Sequence, residues 1–277
     1  MRVPALLLVG LSAAAAPARR LPEPSLPPSA ATAAARLAAS PRHREDVMIP
    51  TPGGLGDSVH AWVFYPQVSH KAPVVVVIHE IFGMTIWTRA VGDQLAADGF
   101  IAIVPDLLTG KLPGPADSVP MDAAMSAIRT LDPAALQRTL DAVAAYGVHL
   151  PSARPAYGII GFCWGGGVSF AHDVHSPATP LPLKAAVVYY GTPPDSLGTA
   201  RAPVLGLYGG SDTRVTPTVP GTDSAMRMLH KVYDPHTYPG AGHGFLRAQD
   251  GQDGANAAAT RDAWPRTIAW FRRYLGA

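Results

Sequence analysis

From about residue 44 to its end, the chain alternates short apolar, often β-branched runs with longer stretches whose apolar positions recur at helical spacing. Val74-Val75-Val76-Val77-Ile78 has no polar member, as expected of a strand buried on both faces of a parallel sheet. Residues 100–104, 157–160, 185–190 and 204–208 read the same way, and residues 231–238 form a more polar candidate strand. Residues 59–65 read as the second arm of a hairpin that turns at Pro52-Gly53-Gly54. A helix is predicted over about 86–98, closed by Gly99, one or two over 121–146 with Pro133 at a first-turn position, and a last one over 256–275. Strands alternating with helices predict an α/β domain: a mainly parallel central sheet with helices on both faces. In such sheets the chemistry gathers at the carboxyl ends of the strands.

The first 43 residues follow another pattern. Arg2 precedes an apolar stretch over 3–11 and small residues through Ala16, which is too short to cross a bilayer. It reads as a secretory signal over residues 1–18. The expected location is therefore periplasmic or secreted, with no stable membrane insertion after cleavage; a cytoplasmic protein is the alternative. Residues 19–43 are rich in Pro, Ala, Ser and Arg, with Pro22, Pro24, Pro27 and Pro28 breaking regular structure. They are expected to be a linker ahead of one domain over 44–277.

Composition narrows the function. Of 277 residues 48 % are hydrophobic and 15 % charged, which excludes a wholly disordered chain. Net charge is +2 from 22 basic and 20 acidic residues, scattered without the dense basic cluster of a nucleic-acid footprint. The single cysteine, Cys163, excludes an internal disulfide or a multi-cysteine zinc site. A monomer acting on a small molecule is expected.

Three candidates follow predicted strands. Gly161-Phe162-Cys163-Trp164-Gly165 is a strand–turn–helix elbow with cysteine in the nucleophile position. There the helix dipole and free amides favour a thiolate. Asp212 lies in Gly209-Gly210-Ser211-Asp212, where an acid could orient a histidine. His243 stands between Gly242 and Gly244 in a loop. Nucleophile, acid and histidine come in the α/β-hydrolase order, so the three are read together as a triad. His172 and His175 at i,i+3 lack a third ligand nearby and read as a solvated helix face. His79-Glu80 opens like a zinc-protease helix, but Gly83 occupies the second histidine position. No metal or cofactor is expected.

With these segments in view, the chain from about residue 44 resembles the dienelactone hydrolase family, α/β-hydrolases with a cysteine nucleophile. His79-Glu80-Ile81-Phe82-Gly83, Val104-Pro105-Asp106-Leu107, the Cys163 elbow, Asp212 and His243-Gly244-Phe245-Leu246-Arg247 carry the resemblance. It implies an α/β-hydrolase fold and opening of a lactone or small ester by Cys163, with His243 and Asp212 serving deacylation. It further implies Glu80 as an aid to thiol deprotonation, and the amides of Ile81 and Trp164 as the oxyanion hole. Arg247 is implied as counter-ion of Glu80 and binder of a substrate carboxylate. Residues 106–120 contain Lys111 and no arginine where family members that open dienelactone carry a second one, so other lactones or small esters are admitted. Arg129 lies further along. A broader exported carboxylesterase or thioesterase, and a non-catalytic ligand-binding scaffold, are the competing readings.

Overall fold

The computed structural model describes residues 25–175, 181 and 183–276; the signal reading of residues 1–18 lies outside them. Eight strands form one sheet: β1 (Arg44–Pro50), β2 (Ser58–Phe64), β3 (Ala72–Ile78), β4 (Ile101–Pro105), β5 (Ala153–Phe162), β6 (Leu183–Tyr189), β7 (Val204–Gly209) and β8 (Tyr233–Tyr238). Their order is β1-β2-β4-β3-β5-β6-β7-β8. β1 and β2 pair antiparallel, as does β2 with β4, and every other pair is parallel. The polar candidate over 231–238 is the edge strand β8, which explains its composition: one side of its backbone pairs with β7 and its side chains are only part-buried.

The β-branched run of β3 is buried at every position. Val75 and Val77 face a core shared with helices α2 (Ile86–Ala97) and α7 (Ala255–Leu275). Val74, Val76 and Ile78 face α4 (Pro133–His149) and α5 (Trp164–His175) on the other side. This period-two division, with helices covering both faces, is the reason the strand could carry no polar residue. The stretch over 121–146, read as one or two helices, is two, α3 (Met121–Arg129) and α4. Asp132 caps α4 through the Ala135 amide at 2.6 Å, and Pro133 takes the first turn.

Two expectations are corrected. The Pro/Ala-rich stretch is not a linker over residues 25–43, because it carries helix α1 (Ala30–Ala38). Ala33 and Leu37 of α1 are buried in the α2/α7 core, and the Pro28 carbonyl accepts the Trp87 indole N–H at 3.0 Å. No proline falls between Pro28 and Pro41, and the Ala-rich sequence between them has high helix propensity once an apolar face can dock. His172 is not solvated either. It is fully buried, with Nε2 2.9 Å from the Tyr157 hydroxyl and Nδ1 2.8 Å from Gln137 Oε1. Helix α5 is sandwiched between the sheet and α4, so its His172 face has no solvent side, whereas His175 at its end is exposed. Burial, with His175 adding to it, lowers the His172 pKa to about 4.

Candidate active site

Cys163 sits between the last residue of β5 and the first of α5 with φ at +55°. A non-glycine residue in this region costs on the order of 1–3 kcal/mol and persists only if its surroundings hold it. Here the Cys163 N–H donates to the Tyr189 carbonyl at 3.0 Å, and its carbonyl accepts from Gly166 at 3.0 Å and Gly167 at 3.2 Å. The flanking glycines are required sterically. A Cβ on Gly161 would stand 1.8 Å from the Gly165 carbonyl oxygen, and one on Gly165 would stand 2.3 Å from that of His79. Helix α5 can therefore press onto the ends of β5 and β3, lifting the half-buried thiol to the start of the helix.

The acid and histidine meet beside it. Asp212 Oδ1 accepts the amides of Arg214 at 3.0 Å and Val215 at 3.1 Å, while Oδ2 lies 2.6 Å from His243 Nδ1. Burial alone would raise the pKa of Asp212, but hydrogen bonds from His243, Val215 and Arg214 outweigh it and hold the carboxyl below its usual range. An ionised carboxylate selects the tautomer in which Nδ1 carries the proton, so Nε2 of His243 is the basic nitrogen. The Tyr190 ring packs on the imidazole at 5.1 Å between centroids, from a backbone with φ at +41°.

Glu80 follows β3, buried, and its carboxylate pairs with Arg247 at 2.7 Å. Burial raises its pKa to about 7, and the arginine beside it offsets only part of that. The guanidinium also lies over the Phe82 ring at 5.2 Å. His79, the residue that opened the failed zinc motif, holds this turn. Its Nδ1–H donates to the Glu80 carbonyl at 2.7 Å, and its Nε2 accepts the Leu107 amide at 3.3 Å. Desolvation keeps it neutral, the state in which it can do both.

Cys163, His243, Ile81 and Trp164 line one cavity of about 660 Å³. Burial raises the pKa of the thiol and Glu80 adds to it, whereas the amides of Trp164 and Ile81 and the charge of Arg214 pull the other way. The net shift is upward, so Cys163 rests as a thiol at neutral pH and the helix start alone does not ionise it. Arg247 does not line the cavity; Arg214 does, and the sequence reading passed over it. Its only sequence signal was its place two residues after the candidate acid. Lys111 and Arg129 do not line it either. Among the described residues, no group of three His, Cys, Asp or Glu side chains is arranged to hold a metal.

The chain is similar in sequence and shape to known proteins. A protein of Salmonella typhimurium named "Putative carboxymethylenebutenolidase" is 33 % identical over 236 residues, covering 80 % of this chain and 85 % of its own. One of the same name from Methylorubrum extorquens is 30 % identical over 243 residues, 83 % of this chain and 80 % of its own. A crystal structure of a "Putative Dienelactone Hydrolase" from Klebsiella pneumoniae superposes with a TM-score of 0.72 at 28 % identity, covering 84 % of this chain and 99 % of that one. The family profile described as dienelactone hydrolase matches residues 59–275, a span that takes in the elbow, the acid and the histidine. The chain belongs to the dienelactone hydrolase family, with the α/β-hydrolase fold.

Proposed function

We propose that the protein is a carboxylic ester hydrolase that opens a lactone or small ester through a Cys163–His243–Asp212 triad and an acyl-enzyme. The observation that carries this reading is the meeting, in one cavity, of a strained elbow thiol with a histidine whose Nδ1 is held 2.6 Å from a buried carboxylate. In the first half-reaction Glu80 takes the thiol proton and the thiolate attacks the carbonyl carbon. The amides of Ile81 and Trp164, which already favour negative charge on the sulfur, stabilise the oxyanion. The carbon–oxygen bond breaks, and the leaving oxygen receives the proton that Glu80 had taken.

In the second half-reaction His243 Nε2 takes a proton from water as the oxygen attacks the thioester, with Asp212 stabilising the imidazolium. The thiolate is expelled and recovers a proton from His243, closing the cycle. Arg247 is the counter-ion that keeps Glu80 in place at rest. The test is loss of the ultraviolet absorbance of a dienelactone, run beside a neutral p-nitrophenyl ester, with wild type and Cys163→Ala. Turnover that vanishes in the variant supports the reading; no turnover of either compound favours a non-catalytic scaffold.

A further inference from the structure

The walls of the cavity are chosen for more than an ester bond. Met125 and Ile128 of α3, Leu131 and Leu136 around the start of α4, and Val168 and Ala171 of α5 all line it. At about 660 Å³ it falls in the range that encloses a drug-sized ligand. A compact polar lactone would leave most of that apolar wall unmatched, whereas an extended apolar group gains about fourfold in affinity for each methylene it buries.

One group in the lining is permanently charged. Arg214 is exposed at the cavity, and among the described residues no carboxylate pairs with its guanidinium. Its Nη2 lies 3.5 Å from His243 Nε2, so an anion received there sits at the catalytic end of the cavity. The position of Arg214 is built in: its own amide is bound by Asp212, so the turn that orients the acid also sets the arginine. Arg247, by contrast, is already engaged by Glu80 and lies against Phe82.

Building on the hydrolytic reading above, we propose that Arg214 is a substrate-binding residue and that the site takes amphipathic esters or lactones. The anionic group near the scissile bond is received by Arg214, and an extended apolar body fills the cavity between α3–α4 and α5. The test compares 3-acyloxy-4-nitrobenzoates, which carry a carboxylate on the leaving group, with neutral 2-nitrophenyl esters, each as acetyl and octanoyl. Octanoyl should exceed acetyl in kcat/KM by about tenfold or more, since burying even two of its six extra methylenes at about fourfold each supplies that. The carboxylate should add about fivefold, the scale of an exposed ion pair. Arg214→Gln should remove the carboxylate preference, chiefly through KM, and keep the chain-length preference; Ile128→Ser, which adds polarity without charge, should do the reverse.

Binding of octanoate to the wild-type protein, followed by tryptophan fluorescence because Trp164 lines the cavity, decides the same point without turnover. Octanoate should bind more tightly than either acetate or 1-octanol, and Arg214→Gln should erase its advantage over 1-octanol. Equal handling of acetyl and octanoyl compounds, or a carboxylate preference that survives in Arg214→Gln, overturns the proposal even if Cys163→Ala abolishes all hydrolysis. If no ester turns over at all, the hydrolytic reading fails by itself, and the octanoate titration then supports or overturns the ligand class.

Discussion

Glu80→Gln should make the protein more stable and less active, and the gain in stability should depend on pH in a defined way. Glu80 is raised from an ordinary 4.5 to about 7, so the folded state binds a proton that the unfolded state releases between those values. Stability then falls as pH rises through this window, because the folded protein must either hold the proton or bury the charge. At about 1.4 kcal/mol per tenfold change, wild type loses about 1 kcal/mol by pH 5 and about 3 kcal/mol by pH 8. Glutamine keeps the shape and an acceptor for Arg247 but removes the titration. Any cost of the isosteric swap itself is the same at both pH values and cancels in the comparison. Urea unfolding of both proteins at pH 5 and pH 8 should therefore show Glu80→Gln gaining about 2 kcal/mol relative to wild type between the two, with unchanged m-values. Hydrolysis should fall steeply in the same variant. A stability difference that is flat with pH, or that turns further against the variant as pH rises, refutes the claim that burial outweighs Arg247 at this carboxyl.

The remaining predictions concern the neighbouring parts. Asp212→Asn should lower kcat by roughly 10²–10⁴ with little change in fold, because the amide no longer selects the His243 tautomer; circular dichroism and ester turnover check both halves. Gly165→Ala drives a Cβ into the His79 and Ile78 carbonyls, at 2.3 and 2.7 Å, and should cost about 3 kcal/mol in chemical denaturation while displacing the elbow. Leu37→Ala should cost about 2 kcal/mol if α1 is an integral part of the fold, and a loss below about 0.5 kcal/mol would restore the linker view. His172 has a folded pKa of about 4, below its ordinary value of 6.5, so its contribution is lost as pH falls from 6.5 towards 4. His172→Gln should therefore lose less stability than wild type over that interval, by about 3 kcal/mol, measured as a difference in unfolding free energies.

The parts legible in the sequence were those written in local pattern. An all-apolar β-branched run is the kind expected of a strand covered on both sides, as β3 is. Glycines around Cys163 and His243 marked turns, those beside Cys163 too close to backbone for a side chain, and the chain order of the three residues suggested one site. What stayed hidden was decided by which surfaces meet in three dimensions. Nothing local to 30–38 says that Ala33 and Leu37 find a core, nor that α5 buries His172 against Gln137 and Tyr157. The Cys163 elbow reads as a place for a thiolate, but Glu80 arrives from a strand some eighty residues earlier and, with burial, keeps the proton on sulfur. The Arg247–Glu80 pair was legible in the sequence, but nothing local to Arg214 says that it faces the cavity. Residue order along the chain determines turns, strands and the candidate chemistry. Charge, protonation and access depend on distances between segments far apart in sequence, and only the folded chain sets those.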